Sequence, residues 1–490
     1  MKKFLALLAS IGLAASLVGC SAPSKPVDLF DQTPSWTLCE NNVFQCASVT
    51  VPVDWDQPEG DTFQLALIRK FTNNAIGSLV LNPGGPGSSG VDFLANNWEY
   101  IGTPELRKAY SFVSFDPRGV SRSAGVSCLN SKDTDELLYG TNDAEIGSAE
   151  EIRLQREDLE KFVSACVENT GEVLGEIDTV SAAKDLDVIR AALGETKLDY
   201  LGFSYGTFLG TTYATLFPEK VGRFVLDGAV DPRVSDAQQS INQLAGFDLA
   251  LTNYLTDCLK NDTECPFQGS LSSAKARVKD FLFDMETKTM ETDSNRTLTI
   301  SSATTGLILA MYSDSYWPYL TEAFTGAFNG DGSMFLRLAD VYNDRQEDGS
   351  YSGNTLEANI AINCLDSRAS AEPAEMAKQN KRLMAVSPIL GRYWQNGALT
   401  CENWPFPVAK KPDSYSADGA PTIFVIGTTG DPATPFQQSV DLAHEVLKDG
   451  FLITYKGEGH TAYGRSNECV SSAVDNFLID GKIPSKEPVC

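Results

Sequence analysis

One stretch constrains the fold more than any other. Residues 198–217 read LDYLGFSYGTFLGTTYATLF. An apolar run of strand type meets Gly202-Phe203-Ser204-Tyr205-Gly206, and a run of helix type follows at once. The small residues let the backbone turn sharply, so a serine hydroxyl stands proud at the carboxyl end of a strand. G-x-S-x-G alone is common in turns, and the strand–turn–helix context is what gives it meaning. The strand is apolar on both faces, which calls for a sheet covered on both sides.

The neighbouring segments supply that sheet. Strand-like apolar runs lie at 63–71, 77–85, 110–119, 222–230, 421–431 and 451–460. A helix is expected just before the serine strand, with Asp178 or Thr179 as its cap, Leu186, Ile189 and Leu193 on one face and Gly194 as its stop. Strands alternating with helices imply an α/β fold with a mainly parallel sheet. From 233 to 415 the alternation stops, and helical and aromatic runs such as MYSDSYWPY (311–319) replace it. This stretch reads as a large helical cap inserted over the strand ends, where open α/β sheets bind ligands. At roughly 150 residues per domain, 490 residues suit two or three units. The expected division is a leader over 1–19, a tether over 20–35, a core over 36–232, a cap over 233–415 and the rest of the core over 416–490.

A serine hydroxyl needs a base to act as a nucleophile, and the chain has only two histidines. His444 lies in VDLAHEVL, whose spacing fits a packed helix. His460 ends the run FLITYKGEGH on a glycine-flanked turn and is the expected base. In the order Ser, acid, His, the acid is expected at Asp431 in GTTGDPATP, with Asp227 and Asp231 of VLDGAVDP as the alternatives. The loop NPGGPGSSG (82–90) can aim backbone N–H groups at one spot. Gly85 is the first candidate donor and Gly84 the second, acting with the N–H of Tyr205 as an oxyanion hole. The loop lacks the Lys-Ser/Thr of a phosphate-binding loop. Asp116 and Arg118 in FDPRG read as braces between turns.

The leader MKKFLALLASIGLAASLVGC has two lysines, then a short apolar stretch, and ends in LVGC. That pattern is a secretory signal with a lipobox-like end, so lipid attachment at Cys20 and export of a bacterial lipoprotein to the extracytoplasmic face of the membrane are expected. Setting Cys20 aside leaves ten of the eleven cysteines, an even number that suits disulfides in an oxidising compartment. Sequence leaves the connectivity open; proximity suggests 39–46, 128–166, 258–265, 364–401 and 469–490. A formal charge of −26 repels phosphate backbones, so nucleic acid is not an expected partner. The scarcity of histidine works against a histidine-based metal site.

NPGGPGSSG, FDPRGVSRS, the 200–232 segment, AINCLD, CENWP, GTTGDPATP and GEGHT together resemble the secreted tripeptidyl aminopeptidases of actinobacteria. These are proline iminopeptidase-like α/β-hydrolases with a TAP-like C-terminal region. The resemblance runs from about residue 36 to 490 and is weakest between about 235 and 355. Pro83 stands where the related glycine loop carries His, and Ser121 stands where Gly is usual. The resemblance implies an α/β-hydrolase fold and cleavage of short peptides, tripeptides by the family's name, from free N-termini by Ser204, His460 and Asp431. It implies no metal or organic cofactor. It also implies cap carboxylates that hold the substrate ammonium, for which Asp366 and Glu357 are the candidates. Two other functions share these features: an esterase or lipase on the same fold, and a lipoprotein that binds peptides without cutting them.

Overall fold

The computed structural model describes residues 28–142, 144–261 and 263–490. The leader and the first half of the tether, Cys20 included, lie outside these residues. Among the described residues nine strands form one sheet, in the order β1-β2-β3-β5-β4-β6-β7-β8-β9. They are β1 (Thr37–Cys39), β2 (Phe44–Pro52), β3 (Thr62–Lys70), β4 (Ser78–Asn82), β5 (Ser111–Phe115), β6 (Leu198–Phe203), β7 (Val221–Asp227), β8 (Ile423–Gly430) and β9 (Gly450–Glu458). From β5 to β9 every pairing is parallel, while β1, β2 and β3 add an antiparallel flank. The fold is that of an α/β-hydrolase.

Side-chain alternation splits the sheet's apolar residues between two cores. Val80, Val113 and Phe224 face one side, packed with Leu186, Ile189 and Leu209. Leu79, Leu81, Phe112 and Val225 face the other, packed with Leu94, Val470 and Phe477. The covering helices are α1 (Gly90–Asn97), α2 (Thr179–Ala192), α3 (Tyr205–Leu216) and, after the cap, Glu468–Asp480. Asp178 caps α2 by accepting the Ser181 N–H, and Gly194 follows its end at φ 76°, as the sequence predicts.

Between β7 and β8 the chain is mainly helical. Helices α4 (Asp236–Asn261) and α5 (Ile300–Met311) build a separate apolar core around Leu244, Phe247, Leu251, Leu307, Phe324 and Phe335. The inserted stretch is not one body, however. Helix α6 (Thr355–Asp366) buries Ala358, Ala361, Ile362 and Leu365 in the sheet-side core instead. Disulfides join Cys39–Cys46, Cys128–Cys166, Cys258–Cys265, Cys364–Cys401 and Cys469–Cys490, matching the pairing by proximity.

Candidate active site

Ser204 sits between β6 and α3 at φ 55°, ψ −125°, a conformation that L-residues adopt only when their surroundings enforce it. Its N–H donates to the Asp227 carbonyl at 2.9 Å, and its carbonyl accepts the Thr207 N–H at 2.8 Å. The flanking glycines are sterically required. A Cβ on Gly202 would lie 2.5 Å from the Gly206 carbonyl oxygen, and one on Gly206 would lie 2.8 Å from that of Asn82.

His460 follows β9. Its Nδ1 lies 2.9 Å from both carboxylate oxygens of Asp431, which follows β8. Asp431 Oδ1 also accepts the N–H groups of Ala433 and Thr434, each at 2.9 Å, so its orientation is fixed. On the far side of the ring, Nε2 is buried with no hydrogen-bond partner among the described residues. The pair therefore presents an unused imidazole nitrogen with a carboxylate behind it. The cap contributes to this turn directly. The Tyr312 carbonyl, just after α5, accepts the His460 N–H at 2.8 Å, and its ring meets the imidazole edge-on at 5.7 Å.

The alternative acids do other work. Asp227 accepts the N–H groups of Ala462 and Tyr463, anchoring the chain just after His460, and burial raises its pKa to about 6. Asp231 pairs with Arg233 through both oxygens. His444 is half-exposed and meets Glu487. Arg118 is a brace: its buried guanidinium holds both oxygens of Asp185 at 2.6 and 2.7 Å and donates to three backbone carbonyls. Asp116 accepts the Ser89 hydroxyl at 2.5 Å and the Val91 N–H at 3.1 Å.

Ser204, Gly85, Tyr205 and Thr434 line a cavity of about 390 Å³ roofed by Phe247, Ile308, Tyr312, Tyr342 and Trp394. The Tyr205 N–H opens α3, where the first-turn donors lack intrahelical partners and the helix dipole favours negative charge. Gly84 corrects the expectation of a second ligand-facing donor. Its N–H is taken by Asn82 Oδ1 at 2.9 Å, and it is not among the residues that line the cavity. Glycine is needed there because a Cβ would lie 2.5 Å from the Phe203 carbonyl oxygen, on a backbone at φ 97°.

The two cap carboxylates part company. Asp366, at the end of α6, lines the cavity. It accepts the Thr179 N–H at 2.8 Å and hydroxyl at 2.5 Å, and Thr179 in turn accepts the Tyr205 hydroxyl. Burial raises its pKa to about 7, against the pull of those hydrogen bonds. Glu357 corrects the other expectation. In the first turn of α6, its carboxylate accepts the N–H groups of Cys128 and Leu129 at 3.0 and 2.9 Å and faces a different cavity. Sequence reasoning missed Asp236, Phe247, Tyr312 and Trp394, which reach the cavity only because the cap folds back over the sheet.

A family model described as TAP-like protein matches residues 387–490, the segment that carries Asp431 and His460. "Serine protease Hip1" of Mycobacterium tuberculosis is 36% identical over 479 residues, 94% of this chain and 91% of that protein. The chain belongs to the TAP-like family of α/β-hydrolases. Within the family, "Carboxylesterase B" of Mycobacterium tuberculosis is 36% identical over 487 residues, 96% of this chain and 91% of that protein. "Tripeptidyl aminopeptidase" of Streptomyces lividans is 31% identical over 489 residues, 97% of this chain and 88% of that protein. As a member of this family the protein is an enzyme, a serine hydrolase.

Proposed function

We propose that this serine hydrolase is an exopeptidase that releases short fragments, tripeptides first among them, from free peptide N-termini. Ser204 Oγ attacks the scissile carbonyl, and its proton passes to His460 Nε2. Asp431 holds the other ring nitrogen and stabilises the imidazolium. The N–H groups of Tyr205 and Gly85 receive the oxyanion, where loss of one donor typically costs about 3–4 kcal/mol. Collapse expels the shortened peptide as an amine, which takes the proton from the imidazolium. Water then attacks the acyl-enzyme, with the histidine again as base.

The observation that carries this reading is the His460–Asp431 pair with its unpartnered Nε2, packed against Tyr312 and Thr434, two residues that line the same roofed cavity as Ser204. The carboxylates of Asp366 and Asp236 along the same cavity suit a substrate ammonium. An ammonium beside Asp366 would hold that carboxyl ionised despite its raised pKa. The names of the peptidase relatives point the same way. For the membrane we propose anchorage through a lipid on Cys20, on the extracytoplasmic face, from the sequence of the leader.

An esterase is the second reading, because the relative named carboxylesterase is as similar as the one named protease. Mass spectrometry of an unblocked pentapeptide and its N-acetylated twin, with Ser204→Ala as control, separates the two. Loss of a fixed N-terminal fragment from the free peptide alone supports the exopeptidase. Cleavage of a short-chain ester with neither peptide cut refutes it.

A further inference from the structure

We infer that Trp394, with the Asp236–Ser367 hydrogen bond beside it, is the partition that sets how many residues the enzyme removes. The inference rests on the exopeptidase reading above. The cavity at Ser204 is backed by a second cavity of about 310 Å³. Asp236 and Trp394 line both cavities, so they form a shared wall. The Ser367 hydroxyl, on the Ser204 side, donates to Asp236 Oδ1 and closes the gap between α4 and the end of α6. Behind the wall, Ala237, Met376, Leu383 and Ala398 offer apolar surface rimmed by Asn380 and Asn396.

The wall stands at a defined reach from the histidine. A line of rings joins them: His460 to Tyr312 at 5.7 Å, Tyr312 to Phe247 at 5.5 Å, and Phe247 to Trp394 at 5.5 Å. Tyr312, Phe247 and Trp394 all face the cavity, and together they make an apolar strip for the acyl side of a peptide. Those steps span at most about 17 Å; an extended chain advances about 3.3–3.6 Å per residue, so it meets the indole within about five residues. The strip ends beside a carboxylate, which suits a terminal ammonium and not a continuing amide chain.

The wall is also held stiffly. Trp394 ends a short turn, Gly391–Trp394, whose other members are tied down. The Arg392 guanidinium holds both oxygens of Glu286 at 2.8 and 3.1 Å, and the Tyr393 hydroxyl donates to the same carboxylate at 2.9 Å. A Cβ on Gly391 would lie 2.4 Å from the Leu383 carbonyl oxygen, so the turn packs directly against the preceding helix.

The test is the fragment-length distribution from one unblocked ten-residue peptide, read by mass spectrometry. Wild type should release a single length. Trp394→Ala and the milder Trp394→Leu should join the two cavities, and fragments longer by one or more residues should reach about a tenth or more of the product. Ser367→Ala, which leaves the indole in place, should give the same change more weakly. Damage to folding lowers the rate but does not lengthen the fragment. The inference is overturned if the Trp394 variants keep the wild-type length at whatever rate. If wild type releases no fixed fragment, or cuts the N-acetylated peptide equally well, the exopeptidase reading fails first and this inference falls with it.

Discussion

Replacing Asp431 by Asn keeps the shape of the side chain, removes its charge and turns one acceptor oxygen into a donor, which makes it the sharpest probe of the site. The carboxylate accepts from Ala433 N–H and Thr434 N–H at 2.9 Å each, and from His460 Nδ1 at the same distance. An asparagine can keep its carbonyl oxygen on the two backbone donors. Its amide nitrogen then faces Nδ1, which has to accept instead of donate. The ring proton moves to Nε2, where the serine needs a lone pair. The imidazolium formed during reaction also loses its counter-charge. Such a change in a Ser-His-Asp site typically costs ~10⁴-fold in kcat, or about 5.5 kcal/mol of transition-state stabilisation. Asp227→Asn loses only part of an anchor on Ala462 and Tyr463. A hydrogen bond to a charged group contributes about 1.5–3 kcal/mol, so this variant should lose stability while kcat falls by about tenfold or less. The assay is turnover of an unblocked tripeptidyl anilide, with melting temperature and fluorophosphonate labelling measured alongside. The reasoning is refuted if Asp431→Asn stays within tenfold of wild type, or if Asp227→Asn falls as far as Asp431→Asn does.

Four further outcomes are expected. Gly84→Ala drives a methyl group to 2.9 Å from Ser204 Cβ, and a displaced nucleophile should lower kcat by about 10²-fold; an unchanged kcat would show that the loop yields freely. Arg118→Met leaves Asp185 buried without its cation and should cost about 3–5 kcal/mol in denaturant unfolding, while the folded fraction keeps its turnover. The pKa of Asp366 is raised from an ordinary 3.8 to about 7 in the folded protein. Its favourable contribution is therefore complete below the unfolded value and is lost as pH rises towards 7, so Asp366→Asn should flatten the decline in melting temperature between pH 4 and pH 7. Cys20→Ala should move the protein from the membrane fraction to the soluble one, and unchanged partitioning would refute the lipid anchor.

The sheet was largely legible because its strands are short, apolar and separated by glycine-rich turns. All seven expected runs contain strands, from β3 to β9. Strands β1 and β2 were not foreseen, since they form an antiparallel flank where exposed positions interrupt the apolar pattern. Asp431 and His460 could be found because each follows a strand on a tight turn, and their contact follows from adjacent strands β8 and β9. Glu357 and Asp366 lie on one helix, and no local pattern distinguishes the carboxylate that faces the cavity from the one that caps two N–H groups of a neighbouring loop. The glycine loop suggests a donor role for Gly84, yet its N–H is taken by Asn82 and its value is the absence of a side chain. Asp236 and Trp394 lie more than 150 residues apart, and nothing local in either segment signals that they share a wall.

The bond from the Tyr312 carbonyl to the His460 amide has a consequence for how the molecule breathes. The region around α4 and α5 has its own core, and units of that kind open locally at less cost than global unfolding. Any opening that lifts Tyr312 also takes away a support of the histidine turn. On the proposed mechanism, Ser204 is then uncovered at the moment its proposed base, His460, is least well aimed. On that mechanism the open form is accordingly a poor nucleophile towards bulky proteins that could reach it, and the closed form admits only what fits under the roof. Hydrogen exchange at the His460 amide, rising and falling with that of α5, would register the two events as one.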